Sequence, residues 1–168
     1  MSINSKFKML VLSLDGTHDD HLQKIYDLNQ ANTPEVGSLE SIDYLHKLIE
    51  LSAYNLLVLK GDEVIGFIIC MREGSAYGSE NYKFFTKKLK KFLYVDRVAI
   101  DERHRREGLG QSIYEDIFKL AKKENLPIAL EVNTQPINQP SLDFHQKMGF
   151  AQAGAKDFDD HSVAYFIK

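Results

Sequence analysis

The stretch FLYVDRVAIDERHRREGLGQSIYEDIFKLAKKE, residues 92–124, predicts a strand, a short basic loop with two glycines, and an amphipathic helix. Its apolar residues alternate from Val95 to Ile100 and then recur at helical spacing from Ile113 to Ala121. The change of period falls on RREGLG, residues 105–110. Glycine lets the backbone approach a ligand, and the first amides of a helix have no intrahelical partner. We therefore expect an anion such as phosphate to bind at this loop.

Residue spacing separates three kinds of glycine loop that bind phosphate. A dinucleotide fingerprint needs a third glycine, but Ile113 occupies that position. The loop of nucleotide triphosphatases needs Lys and then Ser or Thr after its last glycine, but Gln111 follows Gly110. The pattern that remains is Arg-x-x-Gly-x-Gly after a strand, and it starts at Arg105.

This remaining pattern resembles the coenzyme A pyrophosphate loop of the GNAT acetyltransferase superfamily. The resemblance continues through Glu131-Val132, Asn138, Ser141 and the ending Lys147-Met148-Gly149-Phe150, so it covers about residues 92–150 in the superfamily's order. It implies an N-acetyltransferase fold with acetyl-CoA as cosubstrate. The structural alternative is a glycine loop that only connects a strand to a helix.

Length and composition indicate an ordinary globular protein. The 168 residues suit a single domain, here residues 1–168, with 43% hydrophobic and 27% charged residues. A net charge of −3 argues against general affinity for nucleic acid. The apolar run 64–71 is too short to span a bilayer, and the N-terminal sequence MSINSKFK has no signal-peptide core. We therefore expect a cytoplasmic protein without nucleic-acid or membrane partners.

Two features suggest metal or cysteine chemistry but have simpler explanations. Cys70 is the single cysteine and lies in an apolar strand, where packing explains it. His18 and His21 flank two aspartates, yet an acidic first helical turn is common because negative charge complements the helix dipole. We predict no metal site.

The order of predicted elements agrees with the GNAT arrangement. We expect an α/β (α+β) fold with a mixed, mostly antiparallel sheet flanked by helices on both faces, in the order β-α-α-β-β-β-α-β-α-β-β. Strands are predicted over residues 7–14, 54–60, 64–72, 94–100, 127–132, 150–158 and 162–167. Helices are predicted over residues 18–29, after the cap Ser41, after the glycine loop, and over residues 141–148.

Residues 73–91 depart from the shortest superfamily pattern and predict a helical insertion at about 79–91. Tyr82, Phe85, Leu89 and Phe92 fall at helical spacing. We expect Tyr82 and Phe85 to cover the acceptor. The remaining positions carry a lysine cluster, which is either a solvated face or a contact for an acidic substrate or partner: Lys83, Lys87, Lys88, Lys90 and Lys91.

The resemblance also implies where acetyl-CoA binds. Two central parallel strands should splay apart, with the backbone of Val98, Ala99 and Ile100 holding the pantetheine and the acetyl carbonyl. Asn138 and Ser141 complete the expected binding residues. The amides expected to hold the pyrophosphate are those of Arg105, Arg106, Glu107, Gly108, Leu109, Gly110 and Gln111. The side chain of Glu107 should point to solvent, so its replacement should be tolerated.

Energetics indicate that acetyl transfer to an amine needs a base more than an acid. An alkylammonium with a pKa of about 10.4 costs about 4.6 kcal/mol to neutralise at pH 7, whereas departure of a thiolate costs only about 2 kcal/mol. We favour Glu131 as the base, because it interrupts an apolar strand and matches the superfamily segment that carries one. Asp96 is the second choice, on a face predicted to include Tyr94 and Val98 and to exclude Arg97. The alternative for either carboxylate is a structural ion pair.

His145 occupies the helix position where many superfamily members have a tyrosine acid. It is either the acid that protonates the thiolate or a wall of the pocket. We expect direct attack by a primary amine of a small molecule or peptide in a ternary complex. The alternative is a CoA-binding sensor or interaction module without catalysis. The sequence leaves the oligomeric state open, with a homodimer as one option.

Overall fold

A computed structural model describes residues 7–12 and 19–168. The end of the predicted first strand, the Asp15-Gly16 turn and His18 lie outside the described residues. The strands are β1 Lys8–Val11, β2 Tyr54–Lys60, β3 Glu63–Arg72, β4 Leu93–Ile100, β5 Ile128–Gln135, β6 Ala151–Asp157 and β7 Ser162–Ile167. The helices are α1 Asp19–Ala31, α2 Ile42–Leu51, α3 Glu80–Lys88, α4 Leu109–Glu124 and α5 Gln139–Lys147, with a 3₁₀ turn at Glu102–His104.

The strands form one sheet in the order β1-β2-β3-β4-β5-β7-β6. Neighbouring strands are antiparallel except for β4 and β5, which are parallel. The mixed, mostly antiparallel fold and its element order are therefore confirmed. The parallel pair is short, because β4 and β5 are joined only at Leu93–Ile128 and Tyr94–Ala129 and then separate.

Helices pack on both faces of the sheet because alternate residues of the central strands are apolar on both sides. Phe67 lies in a core cluster with Ile25 of α1, Leu45 of α2 and Phe85 of α3. Its neighbour Ile68 lies in a second cluster with Ile113 of α4. The sheet therefore separates an α1–α2–α3 layer from an α4–α5 layer.

The predicted insertion forms α3, but it is shorter and more deeply packed than expected. It ends at Lys88, because Leu89 has extended backbone angles and Phe92 donates its amide to Glu73 at 3.2 Å. Tyr82 and Phe85 are 1% and 0% exposed. The expectation that their side chains cover the acceptor was therefore wrong, because helical spacing of aromatic residues here marks a core-facing stripe.

A β-bulge interrupts β4 opposite β3. Ile69 pairs with Arg97 and Cys70 pairs with Val95, so Asp96 is an extra residue without a partner in the ladder. The bulge reverses the alternation of side chains beyond it. Tyr94 therefore packs in the α1–α2–α3 layer, whereas Val98 packs in the α4–α5 layer.

Candidate functional site

The glycine loop ends in a helix N-terminus with free amides. Gly108 has φ +80°, a left-handed conformation that side chains rarely adopt, and it directly precedes α4. The first hydrogen bond of the helix runs from the Ser112 amide to the Gly108 carbonyl at 3.0 Å. Among the described residues, the amides of Leu109, Gly110 and Gln111 have no protein acceptor. This end of α4 is therefore suited to bind an anion.

All three charged residues of the loop are exposed, and two of them contact neighbouring side chains. Arg105 donates to the Asn32 side chain at 2.7 Å, which ties the loop to the end of α1. Arg106 is exposed and also has a positive φ, +65°. The Glu107 side chain is exposed, and its carboxylate lies 3.4 Å from Nδ1 of His104.

The separation of β4 and β5 places an open backbone edge beside this loop. Val98, Ala99 and Ile100 pair with β3 on one side, and β5 has left the other side. A Cβ atom at Gly110 would lie 3.5 Å from Ile100 Cδ1, so α4 approaches β4 closely. At the far side of the cleft, Asn138 caps α5 by accepting from the Ser141 amide at 3.3 Å.

Glu131 lies on β5 just beyond the point where the strands separate. Tyr94 donates to its Oε2 at 2.7 Å, and Asn81 of α3 donates to its Oε1 at 3.3 Å. Burial raises the pKa of Glu131 to about 8, against the hydrogen bond from Tyr94, and the charge of Asp96 raises it further. Sequence reasoning missed Asn81, because no local pattern indicates a contact between residues 50 positions apart.

Asp96 forms a buried pair with the residue that was predicted to face away from it. Arg97 donates from Nε to Asp96 Oδ2 at 2.8 Å, and the two side chains are only 7% and 4% exposed. Tyr77 donates to the other oxygen, Oδ1, at 2.6 Å. The predicted face shared by Tyr94, Asp96 and Val98 was wrong, because the bulge breaks the alternation on which it depended.

Arg97 connects the buried Asp96–Arg97–Tyr77 network to the α1–α2–α3 layer. Its NH1 donates to Asn29 Oδ1 at 3.0 Å and to the Gly37 carbonyl at 3.1 Å. The network therefore joins the β4 bulge to α1 and to the connection between α1 and α2.

His145 lies between α4 and α5 with both ring nitrogens engaged. Nδ1 lies 2.7 Å from the Ser141 carbonyl, which can only accept, so Nδ1 carries the proton. Nε2 lies 2.7 Å from the Tyr114 hydroxyl and accepts from it. Burial lowers the pKa of His145, against its hydrogen bond to Ser141, so the ring is neutral near pH 7.

Two cavities lie away from Glu131. The larger, about 430 Å³, is lined by Val11, Leu12, Ile49, Glu50, Ser52, Ala53, Tyr54 and Asn55. The second, about 300 Å³, is lined by Tyr44, Lys47, Leu48, Leu51, Tyr77, Gly78 and Ser79. Only the second is related to the carboxylates, through the hydroxyl of Tyr77 on Asp96.

The remaining expectations concern metals, membranes and the lysine cluster. Among residues 7–12 and 19–168, no three His, Cys, Asp or Glu side chains are grouped as metal ligands. No helix in that part of the chain has the length and apolar character needed to cross a bilayer. All five lysines of the cluster are exposed, and Lys83 pairs with Glu80 at 3.2 Å. A role of the cluster in partner binding stays a prediction.

Comparison with known proteins agrees with this geometry. The sequence pattern of the acetyltransferase (GNAT) family matches residues 22–150. No functionally curated protein matches the chain. The structure of Arabidopsis thaliana Naa50 in complex with the bisubstrate analogue CoA-Ac-MVNAL is similar, with a TM-score of 0.72, 18% identity and coverage of 98% of this chain and 99% of that one.

Two microbial structures are similar to the same extent. The ribosomal-protein-S18-alanine N-acetyltransferase from Escherichia coli has a TM-score of 0.68 and 14% identity, over 96% of this chain and 92% of that one. Ard1 from Thermoplasma volcanium has a TM-score of 0.70 and 17% identity, over 98% of this chain and 97% of that one. At these identities the likeness establishes the fold.

Proposed function

Because the chain belongs to the GNAT acetyltransferase family, we propose that it transfers the acetyl group of acetyl-CoA to the α-amino group of a peptide or protein. The observation that carries this proposal is a carboxylic acid, Glu131, held by hydrogen bonds just beyond the point where β4 and β5 separate. Its position makes it available to accept the proton of an attacking amine.

The site fits acetyl-CoA at two places. The free amides of Leu109, Gly110 and Gln111 suit the pyrophosphate, and the left-handed Gly108 lets the chain turn into the helix that presents them. The open edge of Val98–Ile100 suits the amide groups of the pantetheine arm. When bound there, acetyl-CoA supplies the thioester that is the acetyl donor.

The pKa of Glu131 favours an α-amine over a lysine side chain as acceptor. An α-amino group has a pKa of about 7.7–8.0, and that of a lysine side chain is about 10.4. Burial raises the pKa of Glu131 to about 8, which matches the α-amine. Acid and base strengths that match near the working pH give efficient proton transfer. The peptide acceptor is also supported by the likeness to the Naa50 complex and to the alanine N-acetyltransferase.

Glu131 is the base in this mechanism. A neutral amine attacks the thioester carbonyl, a carbon–nitrogen bond forms, and Glu131 takes the amine's proton as the carbon–sulfur bond breaks. Asp96 is less suited to this role, since it forms a buried ion pair with Arg97 and its side chain is only 4% exposed, whereas the donors to Glu131 are uncharged. We assign Asp96 a structural role.

His145 serves as a wall of the site rather than as the acid. Its Nδ1 proton is used by Ser141 and its Nε2 accepts from Tyr114, which leaves no proton directed at a leaving thiolate. A missing acid costs only about 2 kcal/mol for a thiol leaving group, so catalysis survives without it. The same observation supports the second candidate, a CoA-binding module without catalysis.

A thiol-release assay with acetyl-CoA separates these functions. The acceptors are peptides with free N-termini, the same peptides with blocked N-termini and an internal lysine, and small primary amines. We expect thiol release with the free peptides and little with the blocked ones. Preference for small amines or lysine would overturn the acceptor class, and acetyl-CoA binding without any thiol release would favour the non-catalytic module.

A further inference from the structure

Asn81 lies in the first turn of α3, the helical insertion, and its side chain reaches Glu131 on β5. We infer that Asn81 is a positioning residue for the reaction, which holds the Glu131 carboxylate against Tyr94 and favours its ionised form. The inference rests on the proposed role of Glu131 as base. This role of Asn81 gives the insertion a function. Neither the glycine loop nor the cleft explains why the insertion is present.

A chain of hydrogen bonds fixes the direction of the Asn81 amide. Tyr165 on β7 donates to Asn81 Oδ1 at 2.8 Å. Because the amide oxygen faces Tyr165, the amide nitrogen faces Glu131 Oε1, at 3.3 Å. Tyr94 donates to the other carboxylate oxygen at 2.7 Å. Each oxygen of Glu131 therefore has a donor, and donors to a carboxylate stabilise its charged form.

The insertion is packed firmly enough to hold Asn81 in place. Phe84, on the next turn of α3, stacks on Tyr165 with ring centroids 4.0 Å apart and planes at 9°. Gly154 on β6 leaves the space for this stack, since a Cβ atom there would lie 2.8 Å from Phe84 Cζ. Ser79 caps the helix through the Tyr82 amide. Tyr165 thus contacts α3 through both its ring and its hydroxyl.

Of the other groups around Glu131, Asp96 favours the protonated form of the carboxyl group, and the tyrosine side chains stay uncharged. Asp96 on β4 raises the pKa of Glu131 through its negative charge, in addition to burial. Tyr94 and Tyr165 face it from β4 and β7, and burial raises the pKa of each hydroxyl. Both tyrosines therefore stay protonated over the range in which Glu131 titrates. Glu80 raises the pKa of Tyr165 as well, through its charge.

Three variants test the inference through the pH dependence of kcat/KM. Asn81→Ala removes the donor, Asn81→Asp replaces it with a like charge, and Tyr165→Phe releases the amide. We expect the rise of kcat/KM with pH that follows ionisation of Glu131 to move to higher pH. For Asn81→Ala the shift should be roughly half a pH unit to one unit, because the 3.3 Å hydrogen bond is long and therefore weak. The shift should be larger for Asn81→Asp and smaller for Tyr165→Phe. KM for acetyl-CoA should not change.

Thr86→Ala provides the matched control, because Thr86 is exposed on the same helix and its hydroxyl donates to the Lys83 carbonyl. It should leave the pH profile unchanged. An unchanged profile in both Asn81 variants, in an enzyme whose profile becomes less steep in Glu131→Gln, would overturn the inference.

Direct titration of the carboxyl group separates this inference from the proposed function. The ¹³C signal of the Glu131 carboxyl is assigned as the resonance lost in Glu131→Gln, and its pH midpoint is measured in wild type and Asn81→Ala. An upward shift supports the role of Asn81, even if the kinetic limb proves independent of Glu131 and the base assignment fails. An unshifted midpoint in a folded variant contradicts the role of Asn81, whatever the kinetics show.

Discussion

Asp96 and Arg97 are consecutive residues of one strand, yet Arg97 Nε lies 2.8 Å from Asp96 Oδ2 in the protein interior. In a regular strand their side chains would point to opposite faces. The bulge at Asp96 brings them to the same side and lets Tyr77, Asn29 and Gly37 complete the network. A buried pair of this kind is costly to break from one side, because the remaining charge loses its partner.

We therefore predict that Arg97→Leu lowers the free energy of unfolding by about 3 to 5 kcal/mol. Denaturant unfolding at pH 7 measures this loss. The double variant Asp96→Leu, Arg97→Leu should lose less than the sum of the two single variants, because neither charge is then left unpaired. Additive losses in the double variant would contradict a coupled pair.

Gly108 provides a test of the anion site. Acetyl-CoA at 100 times its dissociation constant should stabilise wild type by about 2.7 kcal/mol, visible as a raised melting temperature. Gly108→Val should abolish this shift, because a β-branched residue strains at φ +80° and distorts the helix start. Gly37→Ala is the control, since Gly37 lies outside the loop and a Cβ atom there would meet no atom within 4 Å. A wild-type protein that acetyl-CoA does not stabilise would argue against the site.

Glu131 also makes stability depend on pH. Burial raises its pKa in the folded state from 4.5 to about 8, so the folded protein holds this proton longer than the unfolded chain does. The stability associated with the proton is fully present below pH 4.5 and is lost as pH rises through 8. Glu131→Gln, which cannot ionise, should become increasingly more stable than wild type over that range, by on the order of a few kcal/mol. If the difference in stability between wild type and Glu131→Gln stayed constant with pH, the pKa of Glu131 would be unshifted in the folded protein.

His145→Phe should affect stability more than catalysis. The Tyr114 hydroxyl is buried and donates to His145, so this change leaves it without an acceptor at a cost of about 1 to 3 kcal/mol. Tyr114→Phe in the same background should recover part of the loss. The folded variant should keep most of its kcat. A loss of about thirtyfold, equivalent to about 2 kcal/mol, would instead identify His145 as the acid.

The sequence predicted the features that depend on local pattern. Residue spacing around Gly108 identified the loop, alternation located the strands, and Glu131 stood out as a carboxylate within an apolar strand. The separation of β4 and β5 was implied by the family resemblance and is present in the structure.

The missed features depend on irregular backbone or on distant contacts. The bulge at Asp96 follows no residue signature, and it overturned the predicted faces of β4. The bonds of Asn81 to Glu131 and of Tyr114 to His145 join residues 50 and 31 positions apart. A single sequence carries no signal for such pairs, because each depends on how the layers pack against one another.

The pH dependence of kcat/KM in wild type and Glu131→Gln tests the central claim most directly. Below pH 7, wild type requires both a neutral α-amine and an ionised Glu131, so the logarithm of kcat/KM should rise with a slope of about two. Glu131→Gln should lose activity by about 10² to 10⁴-fold and rise with a slope of about one, since only the amine then titrates. Equal activity and equal slopes in the two proteins would contradict Glu131 as the base.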